Sequence, residues 1–120
     1  MGTELPAKTY RVTRADLIRY AGASGDFNPI HWSDRVASSV GLPGVIAHGM
    51  LQMGLMATVA AEAAGRPERL RRLYCRFAGM VEPGDTVTFA AETTAPGRLE
   101  LSATNQRGEA VLTKSVAEFV

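Results

Sequence analysis

His48-Gly49-Met50-Leu51-Gln52-Met53-Gly54-Leu55-Met56-Ala57-Thr58-Val59-Ala60-Ala61-Glu62-Ala63-Ala64 is the stretch that decides the fold. From Gly49 to about Ala64 it reads as the longest helix of the chain, ended by Gly65 and Pro67. Its apolar residues run nearly all round, and such a helix must be surrounded rather than lie on a surface. Its alanines and glycines let a sheet approach closely. Gln52 and Glu62 interrupt it, and it is too short to span a bilayer.

What surrounds it is legible downstream. Leu73, Cys75, Phe77 and Val81 alternate with Arg72, Tyr74 and Arg76, the period of a strand. Pro83-Gly84-Asp85 turns the chain, Thr86–Thr94 alternates again, and Pro96-Gly97 leads into a strand over Leu99–Thr104. Gly108 marks a hairpin before a last strand over Ala110–Val120. Three or four antiparallel strands after one apolar helix imply an α+β architecture, the sheet wrapped about that helix.

Upstream, Thr9–Val12 reads as a short strand. Thr13 and Asp16 start a helix that runs to about Ala23, with Leu17, Ile18 and Ala21 as its apolar stripe. Ser33 and Asp34 cap a shorter helix that reaches about Val40 and is closed by Gly41. Between these helices, Gly25, Asp26, Asn28 and Pro29 break regular structure; Leu42–Ala47 is a second irregular stretch.

The first loop, Asp26-Phe27-Asn28-Pro29-Ile30-His31, holds a carboxylate, an amide and an imidazole within six residues. Loops can aim several side chains at one point. Taken alone, Asp-x-Asn-Pro is more often turn chemistry. Ala47-His48-Gly49-Met50 changes the balance, because a glycine at a helix start offers free backbone N–H groups to developing negative charge.

Together the two segments resemble the MaoC-like dehydratases and (R)-specific enoyl hydratases of the hot-dog superfamily, whose hallmark is an Asp-x-Asn-Pro-(aliphatic)-His loop followed by a His-Gly-Met helix start. The resemblance covers nearly the whole chain. Tyr20-Ala-Gly-Ala-Ser-Gly-Asp26 with Asn28-Pro-Ile-His-Trp32 looks most like the catalytic B subunits of actinobacterial (3R)-hydroxyacyl-carrier-protein dehydratases. It implies a single hot-dog domain over residues 1–120, with an overhanging catalytic loop segment. It also implies reversible hydration of 2-enoyl thioesters to (3R)-3-hydroxyacyl thioesters, on carrier protein or coenzyme A, in fatty acid or polyketide metabolism.

Carried over residue by residue, the resemblance makes Asp26, His31, Asn28 and Gly49 catalytic, and Gly49, Met50, Met53 and His48 substrate-binding. Gly49 N–H would hold the thioester oxygen, Asp26 and His31 would move the protons, and Asn28 would hold the loop or the water. The division of acid and base between the pair stays open. No cofactor and no metal are implied. A serine that the family often carries eight residues after the helix-start glycine is Ala57 here, with Thr58 beside it as a partial substitute. Hot-dog proteins pair their sheets, so a homodimer, or a heterodimer with a second hot-dog subunit, is expected.

Other readings compete. A hot-dog acyl thioesterase and a non-catalytic acyl-binding partner subunit are the rival functions. His31 and His48 lack metal-ligand spacing and a cysteine cluster. Met50, Met53 and Met56 read first as core filler and second as an acyl-tunnel lining. Arg69, Arg71, Arg72 and Arg76 read as a solvated face, with a landing site for an acidic carrier as the alternative. Trp32 and Tyr20 read as staples of the loop, and Cys75 as core.

Composition agrees with this picture. The 120 residues suit one domain that buries roughly two-thirds of its unfolded surface. Apolar content of 46%, charged content of 21% and a net charge of +1 argue against a polyanion partner, so no nucleic acid is expected. One cysteine and an N-terminus without the n-region and h-region of a secretory signal point to a cytoplasmic protein without a membrane anchor.

Overall fold

Five strands form one antiparallel sheet in the order β1-β3-β4-β5-β2 in the computed structural model, which describes residues 3–120. The strands are β1 (Thr3–Arg11), β2 (Leu70–Phe77), β3 (Thr86–Ala95), β4 (Arg98–Thr104) and β5 (Ala110–Phe119). The helices are α1 (Arg14–Ser24), α2 (Asp34–Ser39) and α3 (Gly49–Ala64), with one-turn 3₁₀ segments at Pro29–His31 and Pro67–Arg69. The fold is the expected helix against an antiparallel sheet. Among the described residues no helix is long and apolar enough to cross a membrane.

Local sequence explains most of the element ends. Thr13 and Asp16 form a reciprocal capping box at the start of α1, and Gly25 ends that helix in the left-handed region at φ 76°. The Ser33 hydroxyl accepts from Val36 N–H to start α2. Met56, Val59 and Ala60 of α3 pack onto Val87, Phe89, Leu99, Ala103 and Ala117 of the sheet, the centre of the core.

Four expectations need correction. β1 begins at Thr3 rather than Thr9, because Pro6 is taken up by a register shift between Leu5 and Lys8 on an edge strand, where its missing N–H costs no ladder bond. The strand after α3 ends at Phe77 instead of reaching Val81. Ile18 lies outside the buried stripe of α1, which is Leu17 and Ala21. Finally, α3 is covered on one side only: Gln52, Met56, Val59, Ala60 and Ala64 are buried, while Met50, Gly54 and Thr58 are exposed.

The same asymmetry sorts the residues read as core. Met56 is core, Met53 is half-buried, and Met50 is 55% exposed. Cys75 is half-buried, and burial pushes its thiol up. Phe77 is 56% exposed, since β2 is an edge strand whose ladder to β5 shifts register between Tyr74 and Arg76. The arginine run is largely committed: Arg69 donates to the Val120 and Ala64 carbonyls, Arg72 lies 3.8 Å from Glu118, and Arg76 donates to the Tyr74 hydroxyl.

Candidate active site

The loop from Gly25 to Trp32 is held by its own polar groups. The Asp26 carboxylate accepts from Asn28 N–H at 3.2 Å, and the Asn28 side chain accepts from Ile30 N–H at 3.3 Å, capping the 3₁₀ turn. Trp32 Nε1–H reaches back to the Phe27 carbonyl at 2.8 Å, so this staple works by a hydrogen bond, with the indole half exposed. The Asn28 side chain thus helps to hold the loop.

The second irregular stretch docks on the first. Ile46 N–H donates to the Ile30 carbonyl at 3.1 Å, and Ala47 N–H donates to the Val81 carbonyl at 2.7 Å. The Asp34 carboxylate accepts from Val45 N–H and faces Arg14 at 2.9 Å; these contacts hold it below the usual carboxylate range.

His31 is 8% exposed, and its Nδ1 lies 2.7 Å from the Ile46 carbonyl. A carbonyl can only accept, so Nδ1 carries a proton, and in the neutral form of such a ring the lone pair sits on Nε2. That nitrogen faces Asp26 Oδ2 at 4.0 Å. The gap is too long for a direct hydrogen bond, but one oxygen could sit about 2.8 Å from each group. The Asp26 side chain is half open to solvent, so the pair can be reached from outside.

His48 ties this pair to α3. Its Nε2–H donates to the Asp26 carbonyl at 3.1 Å, its ring stacks on His31 with centroids 3.7 Å apart, and the Tyr20 ring packs against it in a T-shaped arrangement with centroids 4.8 Å apart. The next residue, Gly49, is the first of α3, and no side chain among the described residues caps that end. The first N–H groups of a helix have no partner within it. Gly49 is exposed, and a Cβ there would come within 3.1 Å of the Phe77 ring. Thr58 does not stand in for the absent serine hydroxyl: it is exposed, and its hydroxyl donates to the Gly54 carbonyl at 3.2 Å.

Asp26, His31 and His48 also bring ligand atoms within 4.8 Å of one another, a triad that linear spacing conceals. Its geometry does not suit one ion. The two imidazoles lie 21° from parallel and face to face, so their in-plane lone pairs lie in two nearly parallel planes. A zinc ion would have to lie about 2.0–2.1 Å from a nitrogen of each ring, in both planes at once.

Two cavities flank the constellation. A groove of ≈ 330 Å³ runs between β1, α1 and α3 and includes Tyr20 and Leu51. A smaller cavity of ≈ 140 Å³ lies between Gly49, Gln52 and Phe77. In the sequence Gln52 figures only as an interruption of the apolar run, the one signal that could have singled it out.

Known proteins are similar to this chain in sequence and in fold. The chain is 42% identical over 73 residues to 3-hydroxyacyl-thioester dehydratase X of Mycobacterium tuberculosis, matching 61% of this chain and 25% of that protein. A solved MaoC-like dehydratase superimposes with a TM-score of 0.90 at 34% identity, over 98% of this chain and 39% of the other. An unliganded R-hydratase from Pseudomonas aeruginosa gives 0.82 at 30% identity, over 98% and 78%. The chain spans only 4 to 6% of the length of the fungal fatty acid synthase beta subunits it also matches. The sequence model of the MaoC like domain matches residues 1–115, and the chain therefore belongs to that family.

Proposed function

We propose that this chain reversibly hydrates 2-enoyl thioesters to (3R)-3-hydroxyacyl thioesters, with Asp26 and His31 as the catalytic pair and Gly49 N–H as the donor to the thioester oxygen. The observation that carries the reading is one short chain of contacts: His31 Nε2 faces Asp26 at 4.0 Å, and His48 links both residues to the uncapped start of α3. The likeness to proteins named as R-hydratase and 3-hydroxyacyl-thioester dehydratase supports it.

In dehydration the α-proton leaves as electrons move onto the thioester oxygen, the hydroxyl departs with a proton, and the products are an enoyl thioester and water. The Gly49 N–H meets the charge on that oxygen, where one positioned donor is worth about 3–4 kcal/mol. Asp26 and His31 share the two proton transfers, and the departing water fits the gap between them. Asn28 and His48 position the pair. Incubation with crotonyl-coenzyme A tests the reading. Loss of enoyl absorbance without thiol release is expected; thiol release would identify a thioesterase, and silence a binding subunit.

Removal of metal is the second test. Dialysis against a strong chelator leaves the hydration rate unchanged, since the proton transfers need only side chains and one backbone amide. Loss of activity that zinc restores would overturn this assignment.

The working unit is a dimer in a cytoplasmic setting. β2 leaves one edge of the sheet unpaired, with Tyr74 and Phe77 exposed on it, and the open side of α3 lies uncovered. The radius of gyration is 15.0 Å, against about 13.6 Å for a compact chain of this length. Light scattering coupled to an activity assay is expected to show a dimer as the active species. A weakly active homodimer that gains strongly from a second hot-dog subunit selects the heterodimer. A fully active monomer rejects both forms.

A further inference from the structure

Gln52 is 2% exposed, and neither end of its amide has a hydrogen-bond partner among the described residues. An unpaired buried amide destabilises a fold, whereas an apolar side chain of similar shape does not. Position gives this amide a use. Gln52 lies three residues after Gly49 on α3, so the two share a face, separated by about 4.5 Å along the axis. Both line the ≈ 140 Å³ cavity, whose remaining wall is mainly apolar and includes Phe77, Val81, Val111 and Leu112. Gly49 is at its exposed side and Gln52 at its buried side.

We propose that Gln52 determines acyl specificity: its amide hydrogen-bonds an oxygen carried a few atoms beyond the thioester, so that short oxygen-bearing acyl chains are preferred to plain alkyl chains. The proposal rests on the hydratase reading above. With the thioester oxygen on Gly49 N–H, an acyl chain directed into the cavity runs toward Gln52. The cavity has room for about four water-sized groups, which limits the chain to a few atoms beyond the reacting carbons. A plain alkyl chain there leaves both amide ends unpaired. A hydroxyl or keto oxygen at that depth pairs with the amide and leaves the apolar walls to the methylenes. A site built to bond a substrate hydroxyl discriminates far more strongly than an apolar pocket can.

The test compares 5-hydroxyhex-2-enoyl-coenzyme A with hex-2-enoyl-coenzyme A on the assembled protein, with crotonyl-coenzyme A as the reference substrate. The wild type is expected to favour the hydroxylated thioester in kcat/KM by roughly ten- to a hundred-fold, the weight of one buried hydrogen bond made or left unmade. Gln52→Leu and Gln52→Met should bring that ratio to about one or below. Both variants should keep the oligomeric state, and Gln52→Leu should melt a few degrees higher, because an unpaired polar group has been removed. Equal ratios in wild type and variants would overturn the proposal. So would a markedly lower melting temperature or a lost dimer, which would make Gln52 a structural residue. If crotonyl-coenzyme A and both probes go unhydrated, the hydratase reading itself fails and the proposal falls with it; hydration of all three without preference removes only the role of Gln52.

Discussion

Asp26→Asn and His31→Ala are each expected to lower kcat for hydration of an enoyl thioester by on the order of 10²–10⁴, the weight of a positioned acid or base. Asp26→Asn is the milder change structurally, because the amide oxygen can still accept from Asn28 N–H. His31→Ala removes more, since the ring donates to the Ile46 carbonyl and stacks on His48. Circular dichroism and a melting curve therefore accompany the rate measurement, and the fold should survive in both variants. For a pair that works as a unit, as proposed above, the double variant should be little slower than the worse single one. Retention of more than about a third of wild-type kcat by either variant, far above that range, would remove it from the catalytic role.

Phe89→Ala should produce the largest loss of stability. Phe89 is fully buried in β3, between the edge strand β1 and strand β4, with the Tyr10 ring edge-to-face against it at a centroid separation of 5.8 Å. Truncating a buried Phe costs about 3–5 kcal/mol, part lost transfer and part residual cavity. Domains of this kind are stable by about 5–15 kcal/mol in all, so the urea midpoint should fall steeply. Val40→Ala, at an exposed position after α2, is the control and should change stability by no more than about 0.5 kcal/mol. A Phe89→Ala loss below about 1 kcal/mol would mean that this packing of helix on sheet is wrong.

Several elements were legible because their causes are local. The helix from Gly49 to Ala64 needs only an apolar run and the glycine and proline that stop it. The capping box at Thr13 and Asp16 joins neighbours three residues apart. The β3–β4 turn follows from Gly97, whose φ of 72° suits glycine. The candidate site was legible for a related reason: its residues are concentrated in two short loops, so the motif survives in the linear order.

Tertiary structure decided what depends on distant partners. Only the pairing of β2 with β5 makes β2 an edge, and that leaves Phe77 exposed although its alternation points it inward. Only the docking of α3 on one sheet face separates buried Met56 from exposed Met50, residues of one type on one helix. The stacking of His31 on His48 brings together rings seventeen positions apart, a contact that their linear spacing conceals. Composition and periodicity state which residues avoid water and at what spacing. Which surface meets which, and hence where Gln52 is buried without a hydrogen-bond partner among the described residues, follows from long-range packing that no local pattern contains.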